Sequence, residues 1–273
     1  MPTRTPTRKP NPKPKTKPKE PTVDEKWAAY ERALIVTAHP DDAEFLAGGT
    51  IAKLCDIGMD VTLCVATSGD KGTRDVSLRP QELAAIREAE TRAAAKVLGV
   101  KRCIFWGLPD GFLTADHELR GMVVKLIRST RPDLVLTWDG FRPGFNHTDH
   151  RMIGLAVRDA LFPAAHDPHY YPEHGRAGIG PHRAAELLLA GSHEPDFHVD
   201  IAPYIDKKVD AIVCHTSQID GRKREDILKG WFPAIRNSKR RKETGFDRAE
   251  SFRRIEFRRP PGAPGTPEPK KHR

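Results

Sequence analysis

Two short polar segments of the sequence contain the residue types that bind a divalent metal ion. The first, "AHPDDAEF", places His39 before the adjacent pair Asp41 and Asp42, and the second, "NHTDH", places His147 and His150 three residues apart. Two neighbouring carboxylates repel each other and are poorly suited to an apolar core, so a positive charge is expected to face them. Imidazole and carboxylate groups that converge from two loops are typical zinc ligands.

Short apolar runs alternate with amphipathic stretches along most of the chain. The predicted strands cover 33–38, 59–67, 102–107 and 133–138, and the predicted helices cover 48–58, 79–99, 117–130 and 150–162. This alternation predicts a mainly parallel sheet with helices on both faces, a Rossmann-like α/β fold, in a single domain.

Both metal-binding segments follow a predicted strand at its carboxyl end. "AHPDD" follows the first strand and "NHTDH" follows the fourth, and these two strands are neighbours in the common order 3-2-1-4-5. Either segment alone is better explained by a capping Asp or a solvated His, but their expected meeting favours a metal site. Zinc lowers the pKa of a bound water to about 7, and a nearby carboxylate that is not a ligand can accept its proton. The residues therefore predict a metal-assisted hydrolase.

The segments "AHPDDAEFLAGGTIAKL", "REAETRAAAKVLGV", "GLPDG" and "NHTDHR" resemble the LmbE-like, or PIG-L, superfamily of zinc-dependent N-deacetylases. The resemblance implies that zinc is held by His39, Asp42 and His150. It also implies that Asp41 is the general base and that His147 assists the oxyanion or the leaving amine.

The same resemblance extends over roughly residues 33 to 258 and implies a small-molecule substrate, an N-acetylated sugar conjugate of the N-acetylglucosaminyl type. Arg87 of "REAE" and Asp110 of "LPDG" resemble family residues that hydrogen-bond sugar hydroxyls. The alternative for Arg87 is an exposed helical side chain paired with Glu88 or Glu90.

Two positions depart from the family pattern. Ala43 separates the Asp pair from Glu44, where many members have Glu directly after the pair, and Asp70 in "SGDKGT" stands where Glu is common. These differences affect the expected substrate more than the expected chemistry. Two other functions therefore stay open: a metal-dependent amidohydrolase acting on a non-sugar amide, and a Rossmann-like binding module without catalysis, which would not need stoichiometric zinc.

Most of the formal net charge of +9 lies in two terminal segments. Residues 1–20 contain seven Lys or Arg and one acid, and residues 260–273 contain three and one, so the rest of the chain is close to neutral. Both segments are rich in Pro, which predicts disordered basic tails at 1–22 and 260–273 around a deacetylase domain at 23–259. A basic tail attracts polyanions without sequence preference, so no specific nucleic-acid partner is expected.

The sequence contains no apolar run of the ~18–20 residues that a membrane span needs, and the N-terminus has no apolar stretch typical of a signal peptide. We therefore expect a cytoplasmic protein, and a homo-oligomer is left open. The cysteines lie in apolar segments without a C-x-x-C pair and are expected to be reduced, buried thiols; they are Cys55, Cys64, Cys103 and Cys214.

The second half of the chain is less regular. Residues 163–183 form a long stretch without usable periodicity, which is expected to have a function such as covering a site. Strands are predicted at 186–191 and 197–201, followed by a helix at 203–215. Residues 217–258 are predicted to form a helical C-terminal region.

Overall fold

The computed structural model describes residues 23–144, 146–233 and 239–257. In these residues, strands and helices build a single α/β domain. The strands are β1 (Arg32–Thr37), β2 (Asp60–Thr67), β3 (Arg102–Leu108), β4 (Leu134–Trp138), β5 (Glu186–Ala190), β6 (Phe197–Asp200) and β7 (Ala249–Glu256). The α-helices are α1 (Val23–Trp27), α2 (Asp42–Asp56), α3 (Pro80–Leu98), α4 (His117–Thr130), α5 (Thr148–Asp159), α6 (Pro172–Arg176), α7 (Ile205–Val213), α8 (Arg224–Gly230) and α9 (Lys239–Thr244).

The strands of the described residues form one seven-stranded sheet in the order β3-β2-β1-β4-β5-β7-β6. Strand β1 is parallel to both β2 and β4, β3 is parallel to β2, and β5 is parallel to β4. Strand β7 is antiparallel to its two neighbours. The predicted order 3-2-1-4-5 is confirmed, and with it the adjacency of the two strands that precede the metal-binding segments.

Helices cover both faces of the sheet, as predicted. Along β1, Ala33 and Ile35 join one apolar cluster with residues of α2, α3 and α7. The alternate residues Leu34 and Val36 join a second cluster with residues of α4 and α5. A strand that is buried on both faces must be apolar at every position, which explains the uninterrupted run "ALIV".

Helix α2 begins earlier than the predicted range 48–58 and is broken near its middle. It starts at Asp42, inside the first metal-binding segment, and Ala47 has the non-helical dihedral angles φ −145° and ψ 19°. A Cβ atom on Gly49 would lie 2.6 Å from the Ile201 side chain, so the close packing after the break requires glycine. The first turn of α2 is therefore a short unit with its own orientation at the end of β1.

A buried ion pair satisfies the backbone groups that the break in α2 leaves without helical partners. The Nζ of Lys208 donates to the carbonyl oxygen of Phe45, 2.9 Å away, on one side of the break. On the other side, the Glu250 carboxylate accepts from the backbone N–H groups of Gly49 (3.0 Å) and Thr50 (2.7 Å). Lys208 and Glu250 also contact each other at 2.6 Å. Because both charges are hydrogen-bonded, this buried pair can hold the two halves of α2 together.

The prediction of a helical region over 217–258 is wrong at its C-terminal end, where β7 inserts between β5 and β6. Phe252 is fully buried and is paired with Ala190 on one neighbour and Phe197 on the other. The sequence gives a mixed pattern here because only Glu250 and Phe252 are buried along the strand, while Arg253 is exposed and Arg254 is half-buried. The strand is stabilised by pairing with residues that lie 49 to 70 positions earlier in the chain, which local periodicity cannot show.

Phe252→Ala is expected to lower the free energy of unfolding by ~3–5 kcal/mol, because the substitution leaves a cavity between three strands. Urea unfolding followed by circular dichroism measures the change. Arg253→Ala is the matched control, since Arg253 is exposed on the same strand and a surface substitution changes stability by less than about 0.5 kcal/mol. Equal stability of the two variants would contradict the position of β7.

The long segment 163–183 packs along helix α4. Arg128 of α4 is buried, and its guanidinium donates to carbonyl oxygens of this segment, those of Ala164, Ala165, Asp167, Tyr170 and Tyr171. The Tyr171 hydroxyl donates to the carbonyl oxygen of His117 at the start of α4. The observed contacts thus fix the segment to the outer surface of α4, and coverage of a site stays a prediction.

The predicted disordered tails, residues 1–22 and 260–273, lie outside the described residues. Within the part of the chain that is described, no helix has both the length and the apolarity needed to cross a bilayer. Of the four cysteines, Cys64 is buried as predicted, but Cys55, Cys103 and Cys214 are only half-buried, so the prediction of buried thiols is wrong for these three.

A chain limited to residues 22–259 is expected to fold with an unchanged unfolding temperature and to keep the activity of the full chain. The reason is that both apolar clusters are built between Val23 and Phe257. Calorimetry and turnover of the two chains, measured side by side, test this. An unfolded or inactive shortened chain, under conditions where the full chain works, would show that the tails contribute to the domain.

Candidate active site

The two predicted metal-binding segments meet above the carboxyl ends of β1 and β4. His39 lies two residues after the end of β1, and His150 lies in the first turn of α5, which follows β4. The Nδ1 atom of His39 is 3.1 Å from Nε2 of His150, and this Nε2 is 3.1 Å from Oδ1 of Asp42. The ring of His147 lies at the same place, with its centroid 4.6 Å from that of His39. The structure therefore brings the two halves of the predicted site together.

Asp42 is oriented by hydrogen bonds to one of its two carboxylate oxygens. Oδ2 accepts from the backbone N–H groups of Ala38 (3.1 Å) and His39 (2.9 Å) and from Nε1 of Trp138 (3.0 Å). Burial alone would raise the pKa of Asp42, but the hydrogen bond and charge of His150 lower it to about 2. Asp42 is thus a carboxylate whose second oxygen, Oδ1, faces the histidines.

His39 is oriented by two carboxylates on the other side of its ring. Its Nε2 is 3.1 Å from Oδ1 of Asp110 and 3.2 Å from Oδ2 of Asp149. Burial alone would lower the pKa of His39, but the hydrogen bond with Asp110 and the surrounding carboxylate charges raise it to about 9. A carboxylate that accepts the Nε2 proton leaves Nδ1 as the atom available to a metal ion.

Two further residues hold the site together although their sequence contexts do not single them out. Asp149 is fully buried, and its carboxylate accepts from the backbone N–H groups of Gly111 (2.7 Å) and Leu113 (3.1 Å). The indole of Trp138 is stacked on the ring of His150, with centroids 3.8 Å apart. The available signals were weak: Asp149 stands between the two histidines of "NHTDH", and Trp138 ends a predicted strand.

Asp41 occupies the N-cap position of α2 but does not cap the helix with its side chain. Its backbone is left-handed, with φ 91°, and its Oδ2 lies 3.2 Å from Nη2 of Arg87. Burial raises the pKa of Asp41 to about 7; the Asp42 charge adds to this rise and the Arg87 charge opposes it. The alternative of a capping Asp is therefore wrong for this residue, whose carboxylate remains available for other chemistry.

The alternative interpretation of Arg87, an exposed helical side chain paired with Glu88 or Glu90, is also wrong. Arg87 is buried and donates to the carbonyl oxygens of Pro40 (2.8 Å) and Gly69 (2.9 Å) as well as to Asp41. It thus fixes the loop that carries Asp41. Asp110 is also hydrogen-bonded within the protein, since its Oδ2 accepts from the backbone N–H of Lys71 at 3.1 Å.

His147 is exposed at the edge of the cluster. Its Nδ1 accepts from the backbone N–H of Asp149 at 3.2 Å, so the neutral ring carries its proton on Nε2. Burial, together with the charges of His39 and His150, lowers the pKa of His147. The side chain is therefore a neutral hydrogen-bond donor at neutral pH.

The spacing of His150 from its two neighbours is compatible with ligands that share one tetrahedral metal ion. Tetrahedral ligands at zinc distances of 2.0–2.1 Å are about 3.3 Å apart, close to the 3.1 Å that separates Nε2 of His150 from each of its two neighbours. Among the described residues, donor atoms of His39, His147 and His150 lie within 4.8 Å of one another and form a possible ligand group, whereas Asp42 belongs to no such group, so its role as a ligand stays a proposal. A second possible triad joins His39 to Asp110 and Asp149, but those carboxylates already accept backbone hydrogen bonds.

The fold and the cluster together define an α/β protein with a His and Asp site at the carboxyl edge of a mainly parallel sheet. The chain belongs to the PIG-L family: residues 34–161 match the family described as GlcNAc-PI de-N-acetylase. This agrees with the resemblance found in the sequence segments.

Relatives support the same assignment over a longer part of the chain. The chain is 33% identical over 214 residues to a diacetylchitobiose deacetylase of Thermococcus kodakarensis, with 78% of each chain covered. It is 31% identical over 199 residues to a probable N-acetyl-alpha-D-glucosaminyl L-malate deacetylase 2 of Bacillus anthracis, with 68% of this chain and 80% of that protein covered. The structure of N,N'-diacetylchitobiose deacetylase from Pyrococcus horikoshii matches with a TM-score of 0.75 and 30% identity, covering 83% of this chain and 84% of that chain.

Proposed function

We propose that this protein is a zinc-dependent hydrolase that removes the acetyl group from an N-acetylated amino sugar conjugate. The observation that carries the proposal is the close approach of His39 and Asp42 to Nε2 of His150. Asp41, the neighbour of Asp42, has a carboxylate that does not cap helix α2. The relatives named above are deacetylases, which supports the reaction type.

His39, Asp42 and His150 would hold the zinc ion through Nδ1, Oδ1 and Nε2. Each ligand is oriented by a contact on its far side: carboxylates at Nε2 of His39, three N–H donors at Oδ2 of Asp42, and the Trp138 indole against the His150 ring. Zinc bound there would supply a Lewis acid that polarises a carbonyl group and acidifies water.

Asp41 is the general base in this proposal. Its carboxylate accepts a proton from the water that attacks the acetamide carbonyl carbon, and the same proton can pass to the leaving nitrogen as the C–N bond breaks. A pKa of about 7 suits a group that must accept and return a proton near neutral pH. A dication beside Asp41 would lower this pKa and so favour the basic carboxylate form.

His147 stabilises the charge that develops on the acetyl oxygen. Its Nε2–H is free to donate because Nδ1 already accepts from the backbone of Asp149. A donor aimed at an oxygen that becomes negative only in the transition state lowers the barrier without tightening substrate binding. His147→Ala is therefore expected to lower turnover and to leave the zinc content unchanged.

The substrate class follows from the relatives and not from the pocket. Diacetylchitobiose and N-acetyl-α-D-glucosaminyl L-malate, taken from the relatives' names, share an N-acetylglucosaminyl group. The resemblance also implies that Arg87 and Asp110 contact hydroxyls of this group; the buried guanidinium of Arg87 already donates to Asp41, Pro40 and Gly69, so its structural support of Asp41 is the role that the contacts favour. A cytoplasmic location and a homo-oligomer stay predictions.

The test is a screen for acetate release by the zinc-loaded protein. The substrates are N-acetylglucosamine, N,N'-diacetylchitobiose and N-acetyl-α-D-glucosaminyl L-malate, and an N-acetyl amino acid serves as the non-sugar amide. We expect one acetate and one free amine per turnover from at least one sugar, and none after zinc is removed with a chelator. Release from the amino acid alone would favour the non-sugar amidohydrolase. Stoichiometric zinc without any turnover would overturn the proposal.

A further inference from the structure

A second pair of ionisable side chains is buried behind the active site, and the proposed mechanism does not use it. Glu44 lies in the first turn of α2, and His215 lies just after α7; both are fully buried. The Oε2 of Glu44 is 3.3 Å from Nε2 of His215. Neither side chain has a hydrogen bond of ordinary geometry to any described residue. Since an isolated buried charge is strongly unfavourable, each group depends on the other.

The pair shares its surroundings with Asp41. Burial lowers the pKa of His215, but its contact with Glu44 and the charges of Glu44 and Asp41 raise it. In turn, the charges of Glu44 and His215 act on the carboxyl group of Asp41. The charges of Asp41, Glu44 and His215 therefore influence one another.

The segment that carries His215 is attached to helix α3. The Glu90 carboxylate accepts from Oγ1 of Thr216 (2.7 Å) and from both the backbone N–H (2.8 Å) and the hydroxyl (2.6 Å) of Ser217. Glu90 lies one helical turn after Arg87, which holds Asp41 from the same helix. Helix α3 thus supports Asp41 directly and His215 through its neighbours.

The backbone of Asp41 needs such support. A non-glycine residue at φ 91° is in a sparsely populated conformation, which persists only where the surrounding structure fixes it from several sides. On the N-terminal side, Asp42 accepts from the backbone of Ala38 and His39. On the C-terminal side, the next buried polar side chain after Asp42 is that of Glu44, whose backbone N–H donates to the carbonyl oxygen of Asp41 at 3.1 Å.

We propose that Glu44 and His215 form a positioning pair that fixes the first turn of α2 and so keeps Asp41 aimed at the reacting water. The inference rests on the proposed function only for the role of Asp41 as base. It gives a purpose to the position of Glu44, one residue later than in many members of the family.

Glu44→Gln and His215→Gln test the pair, because each keeps a hydrogen-bonding side chain of similar size and removes the ionic partner. His174→Gln is the matched control, since His174 is a buried histidine of α6, on the other face of the sheet. Hydrogen exchange by mass spectrometry follows the amides of Glu44 and Phe45, which both donate to the carbonyl oxygen of Asp41. Zinc content, kcat and KM are measured on the same samples.

We expect both test variants to remain folded and to keep zinc, with at least ~10-fold faster exchange at these two amides and no change in the control. On a confirmed substrate, kcat should fall by roughly 10- to 100-fold with KM within about 3-fold. The double variant should lose about as much as either single variant, because both substitutions remove one interaction.

Unchanged exchange in Glu44→Gln and His215→Gln would overturn the positioning role, whatever the activity. Losses in kcat that multiply in the double variant would overturn the pairing. Faster exchange in a protein that deacetylates no sugar would support the positioning pair and count against the proposed substrate class, so the two proposals fail separately.

Discussion

Asp41→Asn is expected to leave zinc bound and to lower turnover by about 10²- to 10⁴-fold, the usual effect of losing a general acid–base group. Asn tolerates the left-handed backbone that Asp41 adopts, so the loop should keep its shape. Its amide oxygen can still accept from Arg87, but it cannot take a proton from water. Steady-state acetate release and elemental analysis of the same preparation measure the two properties.

Asp75→Asn is the control for this substitution. Asp75 is exposed in the loop after β2 and accepts from Ser77, so losing its charge should leave turnover within about 2-fold. Loss of zinc from Asp41→Asn would show that Asp41 is a ligand. Near wild-type turnover would show that another group is the base.

The second large effect concerns the zinc ligands. His39→Ala, Asp42→Ala and His150→Ala are each expected to reduce bound zinc from about one per chain to a small fraction and to abolish turnover. Removing a ligand weakens the site, and each of these side chains also supports another ligand. Asp42→Asn should weaken zinc binding less severely, because its amide oxygen remains a possible ligand.

The same experiment decides which residue is the third ligand, because His147 also lies within reach of His39 and His150. If Asp42 is the ligand, His147→Ala keeps its zinc. Full zinc occupancy in Asp42→Ala together with loss of zinc in His147→Ala would assign the third position to His147. Elemental analysis after dialysis against a weak chelator gives the answer without any substrate.

The parts of this protein that could be predicted from its sequence are those with a local signal. Strand β1 is an apolar run that is followed by His and Pro, and helix α4 begins and ends at the predicted residues. The order of the strands and the positions of such helices therefore follow from periodicity and from the usual connection rules. The meeting of His39 with His150 follows from the same rules, since both come after neighbouring parallel strands.

The remaining features depend on contacts between distant residues. Arg87 reads as one of several charged residues on an amphipathic helix, yet it is buried against Pro40 and Gly69 from two other loops. Strand β7 is fixed by pairing with β5 and β6. Glu44 and His215 lie 171 positions apart and show no shared pattern. In each case the stabilising contacts join residues that are distant in the sequence, so a short stretch of sequence cannot reveal them.

The break in α2 has a consequence for how the helix tolerates mutation. The junction is held by hydrogen bonds to Lys208 and Glu250, whereas residues further along the helix, such as Ile51 and Leu54, are held by apolar packing. In a library of α2 variants, substitutions at the break and substitutions beyond it should therefore affect stability differently. Beyond the break, residues such as Ile51 and Leu54 should accept other apolar side chains of similar volume, with graded losses of stability. At the junction, charge reversal of Lys208 or Glu250 should unfold the domain, and position 49 should accept no side chain larger than that of glycine, so the two parts of the helix should be conserved for different physical reasons.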